Sequence, residues 1–500
     1  MAMIEAFCLI SAILLLLYYY SASKLSYWRR LGVKGPKPLL FVGNYKDVFL
    51  GRIKTTDCIT KAYHDFKDEQ MVGIYNGHIP HLILRDLDLI KDVLIKDFTK
   101  FADRTIDATR EVEPLSEEMF RLEPERWRPL RTKFSPLFTT GKLKEMFGKM
   151  TKCADQLDAF LEKESSRNES LEFRQLAARY TADTVGSCVF GVQVNALTQD
   201  YSEFHRMGIR ALKTSFKMYL MDRLRDYPLL FKTFGPFLAD DTTTEFFVRI
   251  TTEGMKYRME NQNLSPDFVD VLTKIKLDPK GHGLAEVDDI FLAAQSFVFF
   301  LAGFENGSLT IAHALYELAL FPEVQEKARA KIKEVLAKTN GEITYEGLKE
   351  MNYMYGVFAE TLRKYPVIMW VSRTALTDYT FRGTKVTIPK GQQVFIPIST
   401  IQRDPDIYPN PDVFDPERFT DDKEKTRHPM TFIPFGDGPR NCIGLRFARN
   451  QILVALIKIL SKYKIEVCEK TRLKYKIDPI HLFLCQPYDG IHLKVTKLEA

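Results

Sequence analysis

Residues 288–321, DDIFLAAQSFVFFLAGFENGSLTIAHALYELALF, constrain the fold of this 500-residue chain more than any other stretch. The pattern is helical throughout, and Pro322 closes it because proline cannot continue a helix. About 33 residues at ~1.5 Å rise make a helix of ~50 Å, enough to cross a whole domain. Its first half is apolar on almost every side, so it must be buried with other elements wrapped around it. In its middle sit Ala302-Gly303-Phe304-Glu305-Asn306, a glycine and two polar groups. A buried polar group costs free energy unless it is satisfied, so this interruption marks a candidate functional position.

A second stretch carries chemistry of its own. Phe435-Gly436-Asp437-Gly438-Pro439-Arg440-Asn441-Cys442-Ile443-Gly444 puts one cysteine at the end of a glycine-rich loop. A helical pattern follows it through Leu445, Ala448, Ile452, Ala455, Leu456, Ile459 and Leu460. A cysteine at a helix N-terminus lies near the positive end of the dipole, which favours thiolate over thiol. Glycines around it let backbone N–H groups approach the sulfur. Such a thiolate can be a nucleophile, a zinc ligand, the axial ligand of a haem iron, or simply a buried, inert thiol. Zinc needs further Cys or His at short spacing, and no second cysteine lies within 25 residues.

The loop resembles the haem-binding element of the cytochrome P-450 superfamily, F-x-x-G-x-R-x-C-x-G, through Phe435, Gly438, Arg440, Cys442 and Gly444. The resemblance implies Cys442 as thiolate ligand to haem iron, with Phe435, Gly436 and Arg440 among the haem contacts. A cysteine thiolate pushes electron density onto iron and favours O–O cleavage.

Other elements match in the family's order. Trp127 and Arg131 match W-x-x-x-R; four apart on a helix, they share one face from which both could reach a propionate. Ala302, Gly303 and Glu305 match [AG]-G-x-[DE]-T of the helix that crosses the oxygen-binding side, and the resemblance implies Glu305 and Asn306 as catalytic and Ala302 against the haem. Asn306 stands where the family normally has threonine, and asparagine's NH₂ donates a hydrogen bond but cannot relay a proton like a hydroxyl. Ser308 faces roughly the opposite side and is a poor substitute. Glu360 and Arg363 give E-x-x-R, which with Arg418 of Pro416-Glu417-Arg418-Phe419 would form a buried structural triad. Arg373 would reach the second propionate.

Residues 3–22 are nearly all apolar except Glu5, long enough to span a bilayer, with Tyr18, Tyr19 and Tyr20 as an interfacial belt. Lys24, Arg29, Arg30, Lys34 and Lys37 follow and would keep the rest of the chain cytosolic. Residues 23–40 read as a basic, proline-rich hinge and 41–500 as the haem-binding catalytic domain. The expected fold is mainly α with a smaller β region, a cytochrome P-450 fold preceded by one transmembrane helix, anchored in the endoplasmic reticulum. Strand patterns lie at Met71–Tyr75, His81–Leu84, Thr380–Thr387 and Gln393–Ile398. Residues 104–125 have no clean period and read as a loop. Residues 227–238 are apolar and broken by proline, so they either dip into the membrane interface or cap the core.

A net charge of +6 with no arginine-rich tract argues against nucleic acid as partner. Seven cysteines without CxxC pairs argue against a disulfide framework. His313 on the long helix reads as a core residue, not a ligand. The motifs resemble insect family-6 microsomal members and vertebrate family-3 enzymes. They imply mono-oxygenation of a lipophilic small molecule, with haem b as cofactor. Electrons would come from NADPH through its cytochrome reductase, with cytochrome b5 as a second donor. Arg126, Arg128, Lys133, Lys142 and Arg446 would offer the reductase a basic surface. Phe304, loops 104–125, 205–240 and 367–373 and the turn at 480–488 would shape the pocket. Two rivals rest on Asn306: an oxygen-independent haem-thiolate isomerase or dehydratase, and a haem-binding protein with little turnover.

Overall fold

In the computed structural model, every residue is described except 1, 105–108, 168, 200–201, 214, 226, 262–266, 286, 420, 475–476, 478–483 and 500. Four of the residues expected to form the terminal substrate turn, 480–483, therefore lie outside the described residues, as do 105–108 of the polar loop.

Helix α1 (Ala2–Leu25) is apolar and exposed along most of its length, extends three residues beyond the expected span, and touches the domain near its end, where Ser21 is buried, lies 2.9 Å from His78 and accepts the Phe41 N–H at 3.2 Å. The segment behind it is fastened to the domain. Trp28 is buried, its indole N–H donates to the carbonyl of Ile74 at 3.0 Å, and Gly73 N–H donates to Lys34 at 2.9 Å. A Cβ on Gly73 would meet the Trp28 ring at 2.3 Å, which explains the glycine there. The proline-rich hinge is thus docked along a strand.

After α2 (Thr55–Asp65) come β1 (Met71–Asn76) and β2 (Ile79–Leu84), joined by a turn through Gly77 in the left-handed region. With β3 (Val371–Thr374) and β4 (Gln393–Ile396) they form one sheet in the order β1–β2–β4–β3, where only β2 and β4 run parallel. The expected strand 380–387 is instead a short hairpin, Tyr379–Thr380 against Thr387–Ile388, because Gly383 turns the chain in its middle.

The helical body surrounds the expected long helix. Helices α3 (Pro124–Phe134), α4 (Phe173–Val185), α5 (Glu203–Leu212), α6 (Asp289–Leu320), α7 (Asn352–Lys364) and α8 (Leu445–Lys462) position the site. Asp288 caps α6 by accepting the Phe291 N–H at 2.9 Å, and Phe321-Pro322 ends it. Although α6 is apolar enough to cross a membrane, most of it is buried: it is the core helix, packed by α4 on one side and α8 on another. A glycine at 307 permits this closeness, since a Cβ there would meet Gln451 of α8 at 2.8 Å and Thr181 of α4 at 2.9 Å. His313 is buried, stacked on Tyr365 with centroids 4.4 Å apart, and its Nδ1 lies 2.7 Å from the Leu309 carbonyl.

The E-x-x-R triad forms. Arg363 and Glu360 are both fully buried and joined twice, Nε–Oε2 at 2.7 Å and Nη2–Oε1 at 2.8 Å. Arg418 reaches the same carboxylate from the edge at 3.4 Å. The segment 227–238 leaves Leu229 and Phe237 about four-fifths exposed, at 80% and 79%, while Phe231 and Gly235 are buried, so part of it packs on the protein and part faces outward. All seven cysteines are free thiols.

Candidate functional site

The loop Phe435–Gly444 is held open by its glycines. Gly436 and Gly438 take positive φ, and a Cβ on Gly438 would lie 1.9 Å from the Leu94 carbonyl oxygen. Only glycine can pass there. Cys442 N–H donates to Phe435 at 2.9 Å, closing the loop, while the sulfur accepts the amides of Gly444 and Leu445 at the start of α8. Those amides and the guanidiniums of Arg131 and Arg104 favour the thiolate; burial opposes them and pushes the thiol up. Cys442 is exposed, so its side chain is accessible to a ligand although protein crowds around it. Phe435 stacks on Phe358 at 6.2 Å and backs the loop onto α7.

Three arginines converge beside this loop. Arg440 and Arg373 are each only 1% exposed, and Arg104 is half-buried. Arg440 donates to Leu122 and lies over the Trp127 ring at 4.5 Å; Arg104 donates to the Arg440 carbonyl at 2.6 Å; Arg373 donates to Ser372 at 2.8 Å. The Nε of all three is buried without a hydrogen-bond partner. Burial pulls Arg104 down to about 10, Arg440 to about 9 and Arg373 well below the arginine range, with repulsion from Arg104 adding to the fall of the other two. Of the carboxyls around them, Asp103 acts on Arg373 and Arg440 and Glu118 on Arg104 and Arg440, and Glu118 is itself pushed up to about 7 by burial. A group with more than one negative charge would complete the pairing of these cations. The two propionates of a haem fit this demand in charge and hydrogen-bonding type. Among the described residues no group of three His, Cys, Asp or Glu gathers for a metal, which suits an iron held by a porphyrin and one thiolate.

Arg131 and Trp127 lie on one face of α3, as expected, but they do different work. Arg131 commits two donors to Asn441, the carbonyl at 2.9 Å and Oδ1 at 2.8 Å, and so grips the residue before Cys442. Trp127 is buried and supplies the ring under Arg440. Neither Arg104 nor Asn441 was foreseen: Arg104 belongs to no motif, and Asn441 occupies an unconstrained position in one.

On α6, Phe297, Val298, Leu301, Ala302, Gly303 and Asn306 keep accessible surface in the middle of a mostly buried helix, and of these Val298, Ala302 and Asn306 share one face at four-residue spacing. The Asn306 side chain makes no hydrogen bond among the described residues; its carbonyl accepts from Thr310 at 2.8 Å. Glu305 points elsewhere. It is 2% exposed and ion-paired to Arg174 of α4, Nη2–Oε1 2.7 Å. Burial raises its pKa against the pull of Arg174. Phe304 is fully buried, packed between Phe300, His205 and Gly208 of α5. Within the expected basic surface, Arg126 is paired with Glu117 and Glu123 and Lys142 with Glu145, while Arg128 and Arg446 remain exposed.

A family model described as Cytochrome P450 matches residues 33–493. The chain is 37% identical over 505 residues to Cytochrome P450 6B1 of Papilio polyxenes, covering 99% of this chain and all of that protein. It is 37% identical to Probable cytochrome P450 6a23 of Drosophila melanogaster, over 98% of this chain and 99% of that one. Cytochrome P450 6B2 of Helicoverpa armigera matches at 34% identity over 97% of each.

Proposed function

Since the chain belongs to the cytochrome P450 family of haem-thiolate monooxygenases, we propose that it is a membrane-anchored member that inserts one oxygen atom from O₂ into a lipophilic small molecule. Electrons come from NADPH through a membrane reductase, with cytochrome b5 as a second candidate donor. The observation that carries this reading is the trio Arg104, Arg373 and Arg440, with three buried unpaired Nε groups beside the accessible sulfur of Cys442.

Cys442 would be the iron ligand; burial raises its thiol above the ordinary range, the amides of Gly444 and Leu445 and the guanidiniums of Arg131 and Arg104 offset part of that, and bound iron would draw the sulfur as thiolate. Arg440, Arg373 and Arg104 take the propionates together with Trp127. Arg131 acts through Asn441 by fixing the loop, and Phe435 and Gly436 form the wall behind it. When bound, the haem supplies the site at which dioxygen is activated. From α6, Ala302 and Asn306 would face a bound haem, where the Asn306 amide could donate an N–H to a bound water or substrate. Asn306 can orient a water there but cannot itself pass a proton. Glu305, held by Arg174, connects that turn of α6 to the outside, because the Arg174 side chain is 22% exposed.

Residues 3–22 cross the endoplasmic reticulum membrane, and the cations Lys24, Arg29, Arg30, Lys34 and Lys37 keep the 41–500 domain cytosolic. The exposed side chains Phe216, Leu229, Phe234 and Phe237 would rest in the membrane interface. Arg128 and Arg446 contribute to the reductase-facing surface.

One observation favours a second reading. Asn306 stands, partly accessible, where the family normally has a threonine hydroxyl, which suits a haem-thiolate enzyme that rearranges or dehydrates an activated substrate without O₂, or a haem binder of little turnover. The test is the ferrous carbon-monoxide spectrum of the native protein and of Cys442→Ser, followed by product formation with NADPH and reductase. A thiolate spectrum lost in Cys442→Ser, with reductase-dependent product, supports the mono-oxygenase. Product from a peroxide without NADPH supports the second reading.

A further inference from the structure

The turn between β1 and β2 consists of Gly77 and His78, and each meets a different segment that carries exposed apolar side chains. His78 meets the end of α1. Its Nε2 lies 2.9 Å from Ser21 Oγ, and its ring packs edge-on against Tyr20 at 5.6 Å and Phe41 at 6.1 Å. Ser21 is fully buried there, although Tyr18, Tyr19 and Tyr20 just before it are half-exposed or more. Gly77 sits against segment 227–238: a Cβ on it would lie 3.3 Å from the Tyr227 hydroxyl and 3.5 Å from the Phe41 carbonyl.

Phe41 completes the arrangement. Its φ of 66° lies in the left-handed region, where a bulky residue is an outlier, and Val42 N–H donates to Leu40 at 2.9 Å across it. That is a γ-turn with positive φ, a rare and strained form. The strained residue is held at both ends, because its N–H donates to Ser21 Oγ at 3.2 Å and its ring lies on His78. The same turn leaves Leu39, Leu40 and Phe41 about half exposed beside the last turns of α1. Gly43 pairs with Asn76, and the Asn44 side chain accepts the Tyr75 N–H at 2.9 Å, so the turn is built onto β1.

A flexible linker would let a domain tumble beneath its anchor. Here one hydroxyl of α1 is shared by two elements whose backbones are fixed to the sheet. We propose that the β1–β2 turn is a rigid joint: it seats the end of α1 and segment 227–238 side by side, and so gives the domain one tilt on the bilayer. Leu39, Leu40 and Phe41 then rest in the interface, because Ser21 is next to last in the span 3–22 and lies where hydrocarbon gives way to headgroups. The joint requires that α1 cross the membrane, as proposed above.

The test uses the full-length protein in phosphatidylcholine liposomes. Native protein that fails to float with them contradicts the anchor, and the joint with it; protein that floats reports on the joint alone. Trypsin is offered the exposed Lys24, Arg29, Arg30, Lys34 and Lys37, and cuts faster the more often this segment opens. Ser21→Ala combined with His78→Ala should float and melt like the native protein, yet be cut between residues 24 and 37 about tenfold faster. Phe41→Gly eases the backbone while removing the ring from His78, so it guards against a variant that merely unfolds, and it should also be cut faster. Linear dichroism of the haem band on oriented bilayers should be strong in the native protein and weak in the double variant. Equal cleavage rates, or equal dichroism, in native and double-variant protein overturns the joint and leaves the anchor standing.

Discussion

The carboxylate of Glu305 is tied to the guanidinium of Arg174, Nη2–Oε1 at 2.7 Å, one residue before the accessible Asn306. Consecutive residues on a helix point ~100° apart, so the two polar groups of the central motif serve different surroundings. Removing either partner has unequal consequences. Arg174→Met strands a carboxylate that is 2% exposed and should cost about 3 kcal/mol, near the low end for a broken buried pair. Glu305→Gln leaves Arg174 able to reach water and should cost about 1 kcal/mol. Chemical unfolding of the two variants checks the order; equal losses would mean that the pair is not what stabilises this turn.

The pair Glu360–Arg363 is the deeper one, with both side chains fully buried. Arg363→Leu should therefore lower stability by about 3–5 kcal/mol and yield little haem-loaded protein. Arg418→Leu, removing a partner that is 13% exposed at 3.4 Å, should cost about 1 kcal/mol. Haem content per purified chain and midpoints of urea unfolding separate the two.

Two glycines of the cysteine loop make a sharper contrast. Both have positive φ, but a Cβ at 438 would collide with the Leu94 carbonyl at 1.9 Å, whereas at 436 nothing lies nearer than 4.0 Å. Gly436→Ala should cost only the left-handed strain, about 1–2 kcal/mol, and keep its haem. Gly438→Ala should fail to load. Normal absorbance of Gly438→Ala in the haem region would contradict the loop geometry.

Acid lability has an identifiable contributor in His81. It is 5% exposed, stacked on Phe395 at 4.5 Å, and burial alone pulls it down to about 4. A depressed pKa contributes stability that is present above pH ~6.5 and lost as pH falls through ~4. The shift corresponds to at most about 3 kcal/mol. His81→Phe keeps the stack and should flatten the decline of the melting temperature between pH 6.5 and pH 4; an unchanged decline would assign it elsewhere.

How much of this was legible in the chain follows from the range of each interaction. The cysteine loop, α6 and the E-x-x-R pair are local patterns: periodicity located α6, and the match of short motifs to the family located the other two. The direction of Glu305 was not, because its partner lies 131 residues away on α4. Arg104 sits in a stretch without period, and its place in the cation trio depends on Arg440, 336 residues further on. The hinge read as a joint because its prolines forbid a helix; that it docks depends on Gly73 and Ile74 of β1 accepting Lys34 and Trp28 as neighbours. Phe304 carried no signal separating a pocket wall from a helix interface, since both are apolar.

The central claim is that the thiolate site of this chain performs mono-oxygenation with asparagine at position 306. Its most direct test is mass spectrometry of products formed under ¹⁸O₂ by the membrane-bound protein with NADPH and reductase, across a panel of lipophilic probes. One labelled oxygen atom per product, from both the native protein and Asn306→Thr, is the predicted result. Products without label from the native protein, or turnover of an organic peroxide in the absence of NADPH, would contradict the account and make the chain an oxygen-independent haem-thiolate enzyme.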